Sequence, residues 1–456
     1  MLLSKRFAAF VERSPVAVMA RGVLERVFAP EHLNALYART ARVGYTRELL
    51  FSTTVGLMSE VVLDVSPSVH AAYKDAEEPV PVSVTALYEK LQGIETAVSA
   101  ELVRATARQL APVIERMGGG LSKPLAGYRV RILDGNHLAG TEHRIAELRR
   151  MRAAALPGQA LVVLDPARML VVDVLACEDA HAQERSLLDE ILPMVQPKDL
   201  WIDDRNFCTS RFLFGIARRQ AYFLVRQHAS TLQIELLGQP RYRGKVPTGQ
   251  VYEQAVRLTH PETHETILAR RVTVELDQPT RDGDTEIHLL TNLPAEVSAA
   301  QVAILYGSRW TIEKAFQDLT TALVCEIHTL GYPKAALFGF CLALVAYNAV
   351  SLVKAALRSV HGAEKVEKEI SWYYLCLHLA KVYTGMMIAI PAPHWRVFAR
   401  MDDQTFADTI RALAAKIDWR RFRKHPRGPK KPQPPKISGA KIKHVSTARV
   451  LANRTP

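Results

Sequence analysis

A chain of 456 residues, 48% hydrophobic and 23% charged, is long enough to bury a core in each of two or three domains, which excludes a peptide, a disordered protein and a small disulfide scaffold. Its formal charge of +13 is concentrated: twelve Lys and Arg and no acid lie from Arg420 onward, leaving 47 of the 59 bases against all 46 acids for residues 1–419. A near-neutral body with a proline-rich tail, RRFRKHPRGPKKPQPPK (420–436), describes a polyanion-binding arm or a solvated linker.

The N-terminal stretch MLLSKRFAAFVERSPVAVMARG carries charges every few residues and no apolar run, so no signal peptide is expected. Residues 1–118 then read as helices, broken at Pro15, Pro67, Pro79 and Pro81. Within them Ser83 caps TALYEKL, Gly93 marks a turn, and TAVSAELVRATARQL follows, the outline of a helix-turn-helix or of any αα-hairpin; DNA recognition by this N-terminal domain is one reading. Gly118, Gly119 and Gly120 suggest a hinge or domain boundary.

Past the glycines the pattern changes to β-branched runs of period two: YRVRILD (128–134), ALVVLD (160–165), MLVVDVLAC (169–177), LWIDD (200–204) and AYFLVR (221–226). Helices are expected at 183–195 and 210–220, and Asp165-Pro166-Ala167-Arg168 turns the second strand into the third. The order β-β-β-α-β-α-β is that of a ribonuclease H-like mixed α/β core over 121–230. Residues 231–297 form a β insertion, with QVYEQAVRLTH, ETILARRVTVEL and TEIHLLTNL as strands. Core completion and C-terminal helices occupy 298–400, and 401–456 is a C-terminal region with the basic tail. The uncharged stretch Ala335–Val353 reads as a buried core helix, since it holds Tyr347, Asn348 and Ser351 and no second such segment accompanies it. Cys177, Cys208, Cys325, Cys341 and Cys376 lie too far apart for a metal motif, so buried thiols without zinc or disulfides are expected.

Chemistry gathers at three places. Asp134 ends the first strand and Asp204 the fourth; adjoining strand ends would bring two carboxylates together, an arrangement suited to hard divalent cations, whereas each Asp alone could simply serve a turn. In the helix beginning near Ser298, Tyr306, Arg309 and Glu313 fall at i, i+3 and i+7 on one stripe. Glu313 could complete a metal site, and Arg309 has the forked donors that match a phosphate, although an Arg–Glu i,i+4 pair is also an ordinary surface feature. Trp310 either stacks on an unpaired base or packs in the core; His137, His143 and Arg144 are either loop residues or DNA contacts.

Tyr-x2-Arg-x3-Glu, together with LDG at 133–135, DDRNF at 203–207 and LLTNLP before YGSRWTIEKAF, resembles the DDE transposases of the insertion-sequence-four family. The likeness extends over almost the whole chain, from GYTRELLFSTTVGLMSEVV to the tail. It implies that Asp134, Asp204 and Glu313 are catalytic and bind two Mg²⁺, for which Mn²⁺ could substitute, and that Tyr306 and Arg309 contact phosphates of the transposon end. The doublet leaves Asp203 as an alternative to Asp204, which is favoured because the family places its Asp directly before Arg. One position departs: the family's Lys seven residues after the Glu is Thr320 here, and Lys314 points away from the stripe.

The implied activity is metal-dependent cleavage at terminal inverted repeats followed by strand transfer into target DNA, the cut-and-paste movement of an insertion sequence. The implied partners are double-stranded DNA and a second copy of the chain, forming a homodimer on DNA, with no membrane; the implied location is the bacterial cytoplasm, at the nucleoid. The alternatives are a ribonuclease H-like nuclease without strand transfer and a non-catalytic DNA-binding derivative of a transposase.

Overall fold

The β-branched runs after residue 128 line up in one mixed sheet. In the computed structural model, which describes residues 3–43, 48–76, 79–228, 232–280, 283–425, 428 and 444–453, the strands are β1 (Arg129–His137), β2 (Ala154–Leu156), β3 (Gln159–Asp165), β4 (Leu170–Cys177), β5 (Asp199–Asp203), β6 (Tyr222–Arg226), β7 (Gln233–Val246), β8 (Gly249–Thr259), β9 (Thr266–Leu276), β10 (Glu286–Thr291) and β11 (His444–Ser446). Nine of them form the sheet, in the order β4-β3-β1-β5-β6-β10-β9-β8-β7. The centre, β1-β5-β6, is parallel, and β3 and β4 continue antiparallel on one side.

All five expected core strands are present, and the Asp165 turn forms as its chemistry requires: the carboxylate accepts the Ala167 and Arg168 amides at 3.0 and 3.1 Å. The insertion is not a separate β unit, because β10 pairs antiparallel with β6 and carries β9, β8 and β7 onto the same sheet. Strand β7 was not anticipated; it is exposed along most of its length and contains Pro240, Arg241, Arg243 and Lys245, the composition of a protected edge rather than of a half-buried strand. The expected helix at 183–195 is broken into short turns, Glu184–Leu187, Leu188–Ile191 and Leu192–Met194, with Pro193 in the last.

One face of the sheet packs against a helical layer drawn from both ends of the chain. The helices Pro15–Val27, Phe51–Val62, Thr96–Met117, Pro333–His361 and Asp403–Ala414 share one core, which runs from Phe7 to Phe422, so position 118 is not a domain boundary. The Gly triplet is a packed helix stop: Gly118 takes the left-handed conformation (φ 65°) that ends the Thr96–Met117 helix, and Gly119 lies against the backbone of Ala355. That helix and Val84–Gly93, capped by Ser83 as expected, form the hairpin, but the long helix buries its apolar stripe against β4 and Pro333–His361. Pro333–His361 is apolar and long enough to cross a membrane, yet its most apolar stretch is wholly inside the protein, as the core-helix reading expects. Asn348 explains its own presence there: it accepts from the Val171 amide and donates to the Val171 carbonyl of β4, both at 2.8 Å.

The tail is not one free arm. Phe422 is buried, Lys424 donates to the Glu367 carbonyl at 2.6 Å, and β11 pairs parallel with β2 ahead of a short helix, Thr447–Ala452. Residues 426–427 and 429–443, with most of the proline-rich stretch, and residues 44–47 of the GYTRELL segment lie outside the described residues.

Candidate active site

Sheet register decides where the acids meet. Ile132 of β1 is paired with Ile202 of β5, the last pair of that parallel ladder; Asp134, which lies inside β1 opposite Val162 rather than at its end as expected, and Asp204, just past β5, each follow two residues later and are near enough to act on one another. Asp134 is half-buried and accepts the Gly135 amide at 2.9 Å. Burial pushes its carboxyl up to about 7; Arg309 and the Gly135 amide oppose the rise, while Asp204 and Glu313 add to it. Asp204 lies just past β5 and caps the Arg205–Phe207 turn, accepting from the Asn206 amide at 2.6 Å. Asp203, of opposite pleat, has no exposed surface; its oxygens complete no ordinary hydrogen bond, although the Leu133 amide faces them, and burial raises its carboxyl well above the usual range.

The third group arrives on a kinked helix rather than the single one expected. Ala299–Gly307, held at its start by a Ser298–Gln301 capping box, gives way at Ser308 and Arg309 to Trp310–Ala322. Through the junction the amides of Ser308, Arg309, Thr311 and Ile312 bond three residues back, a local tightening at the Gly-Ser pair. Tightening brings residues i and i+3 into line, and the Arg309 guanidinium accordingly acts on the Tyr306 hydroxyl. Burial raises that hydroxyl to about 12, against the pull of Arg309.

Arg309 binds the stripe to the sheet. Its Nη2 donates to Glu313 Oε1 at 2.6 Å and its Nη1 stands 3.7 Å from Asp134 Oδ2. The structure therefore brings together Asp134, Asp204, Tyr306, Arg309 and Glu313. Trp310 is not in the core: it is 63% exposed, with the Arg309 guanidinium 5.2 Å from its ring centroid. His143 is engaged by the Ala153 carbonyl at 2.8 Å and Arg144 pairs with Glu142, so neither faces the acids.

Thr320 turns its hydroxyl back onto the Phe316 and Gln317 carbonyls, each at 3.1 Å, and supplies no cation. Lys314 acts on Asp318, Lys354 and Lys424 instead. Two neighbours of the site went unread in the sequence. Arg226, the last residue of β6, pairs with Asp284 at 2.6 Å and acts on Tyr306. Its place at a central strand end was a usable signal. Glu184 lies over Gly135, acts on Asn206 and Asp204 and stands 4.0 Å from His137. No spacing announced it.

Residues 125–349, which span every acid and the kinked helix, match the family described as Transposase DDE domain. The chain carries that domain and is a DNA transposase, an enzyme that cuts and joins DNA strands. No curated protein matches the sequence significantly. Among solved structures, a piggyBac transposase synaptic complex with hairpin DNA aligns over 88% of this chain and 85% of its own, at 11% identity and a TM-score of 0.38, a distant likeness.

Transposases with this domain use divalent metals. Asp134, Asp204 and Glu313 fit such a cation in kind: they are three oxygen-bearing side chains in one neighbourhood, and burial, with Asp204 and Glu313 nearby, penalises the charge of Asp134. Among the described residues, however, no three acidic, His or Cys side chains stand close enough to hold an ion as they are, and the positive group between Asp134 and Glu313 is Arg309.

Proposed function

We propose that the catalytic centre is the ribonuclease H-like cluster Asp134, Asp204 and Glu313, and that the protein cuts the ends of an insertion sequence of the insertion-sequence-four kind and transfers the freed 3′ ends to target DNA. The observation that supports this reading is that Asp134 and Asp204 each follow by two residues the last pair, Ile132–Ile202, of adjoining parallel strands, with Glu313 linked to Asp134 through one arginine. Mg²⁺ held by the three carboxylates, as two ions, would polarise the scissile phosphate and lower the pKa of an attacking water or 3′-OH.

The chain's own groups orient the DNA. The Arg309 fork suits a phosphate of the end, the Tyr306 hydroxyl stays protonated and can donate to a second, and exposed Trp310 offers a face to an unstacked base. Arg226, beside Tyr306, takes the part that the family's Lys would play at Thr320. Strand transfer at two ends calls for two active sites, so a homodimer on the DNA is part of the proposal.

The test is nicking of a duplex bearing the terminal repeat that flanks the coding sequence, with Mg²⁺ or Mn²⁺. Asp134→Asn, Asp204→Asn and Glu313→Gln should each abolish nicking and strand transfer while duplex binding persists. Nicking that survives both Asp134→Asn and Glu313→Gln would refute the assignment.

A further inference from the structure

We propose that Arg309 is the resting counter-ion of the carboxylate cluster, its guanidinium standing between Asp134 and Glu313 in place of a divalent cation and vacating that place when a DNA phosphate engages it. This rests on the reading of those acids as the metal site.

The donor inventory of Arg309 carries the argument. A guanidinium has five N–H donors and keeps its charge at any physiological pH. Here only one of its contacts to a carboxylate is a close one, Nη2 to Glu313 at 2.6 Å. At 3.7 Å from Asp134, Nη1 forms an ion pair without a hydrogen bond, and Nε is enclosed with no partner at all. A side chain selected only to brace two acids would use its fork bidentately. This one, 12% exposed, spans two acids loosely and leaves a buried donor unmet.

Charge points the same way. Asp134, Asp204 and Glu313 bring three carboxylates to one place, and one monovalent guanidinium is too little positive charge to balance them. It suffices to keep Asp134 and Glu313 apart from a common ion, which is why no three ligands are grouped among the described residues. A phosphate would offer the guanidinium two acceptors at once and satisfy Nε. Departure of the guanidinium would release Glu313 from its bond to Arg309. DNA binding and metal binding are thereby coupled through a single residue, and each strengthens the other.

The test is Mn²⁺ binding to the full chain, followed by the EPR signal of free Mn²⁺, with and without an end duplex. Without DNA, Arg309→Gln should bind Mn²⁺ roughly tenfold more tightly than the wild type, and the gain should vanish in Arg309→Gln/Asp134→Asn. Arg309→Lys, which keeps the charge, should remain as weak as the wild type and guards against misfolding of the first variant. Adding the duplex should tighten Mn²⁺ binding to the wild type but not to Arg309→Gln. Equal Mn²⁺ affinity of wild type and Arg309→Gln, with loss in Asp134→Asn, would overturn the role of Arg309 and keep the metal site. Mn²⁺ binding indifferent to both Asp134→Asn and Glu313→Gln would overturn the metal site itself.

Discussion

Gly119 and Ala355 touch through their backbones: a methyl group on Gly119 would overlap the Ala355 carbonyl, and the Gly119 carbonyl in turn accepts Nε–H of Arg358 at 2.7 Å. The contact locks the end of the Thr96–Met117 helix onto the central Pro333–His361 helix, so the glycines hold two parts of the core together instead of letting them flex. Gly119→Ala should cost about 1–3 kcal/mol, since backbone cannot yield as a side chain does. Gly118→Ala should cost only about 1 kcal/mol, the penalty of the left-handed conformation in open space. Urea unfolding of the two variants checks the order; a Gly119→Ala protein as stable as the wild type would restore the hinge reading.

Glu367 closes the same region from the other side, bonded to Lys354 at 3.0 Å and to Arg358 at 2.9 Å. Burial pushes its carboxyl up, but Lys354 and Arg358 together outweigh that and hold it below the usual glutamate value. A folded-state pKa below the unfolded one stabilises the protein above the ordinary glutamate range, and the contribution is lost as pH falls through the folded value. Glu367→Gln leaves two buried cations unpaired and should cost about 3–5 kcal/mol at pH 7. Measured against pH, the difference between wild type and variant should shrink on acidification below about pH 4.5; a difference constant with pH would mean that the carboxylate charge is not what stabilises.

How much was legible follows from what each signal depends on. Asp134 and Asp204 were readable because neighbouring parallel strands in a sheet of this order carry them close together past the Ile132–Ile202 pair, although Asp134 lies inside β1 and only Asp204 beyond its strand. Tyr306, Arg309 and Glu313 were readable from helical spacing, yet the kink at Ser308 was not, because a Gly-Ser pair breaks few helices and only packing selects which. Core packing was the favoured of the two readings of Trp310, and its 63% exposure overturns it. The division at residue 118 failed because it relied on glycine as flexibility, whereas Gly119 is there for close approach. Glu184 comes to the site through tertiary packing, which no periodicity encodes, whereas Arg226 ends a central strand, a signal the sequence did offer.

Asp203 and Asp204 make a sharp pair for substitution. Asp203 is wholly enclosed and burial favours its neutral form, so Asp203→Asn replaces a carboxylic acid by a near-isostere. Stability should change by about 1 kcal/mol or less, and Mg²⁺-dependent nicking should persist. Asp204→Asn should fold equally well, because the amide oxygen can still cap Asn206, and should lose nicking. Nicking retained in Asp204→Asn and lost in Asp203→Asn would move the catalytic assignment by one residue.

The basic tail calls for substitution in place, not truncation. Stopping after Trp419 would remove buried Phe422 and the β11 segment that pairs with β2, so weakened DNA binding could merely report a damaged body. Lys430, Lys431, Lys436, Lys441 and Lys443 carry charge between those two anchored ends. Changing all five to Gln should weaken affinity for end and random duplexes alike, and should flatten the plot of log affinity against log salt by about 0.9 for each phosphate no longer neutralised. The preference for the end sequence should survive, because binding to phosphates positions the protein without reading bases. An unchanged salt slope would make the segment a solvated linker, and a selective loss of end binding would mean that it reads sequence.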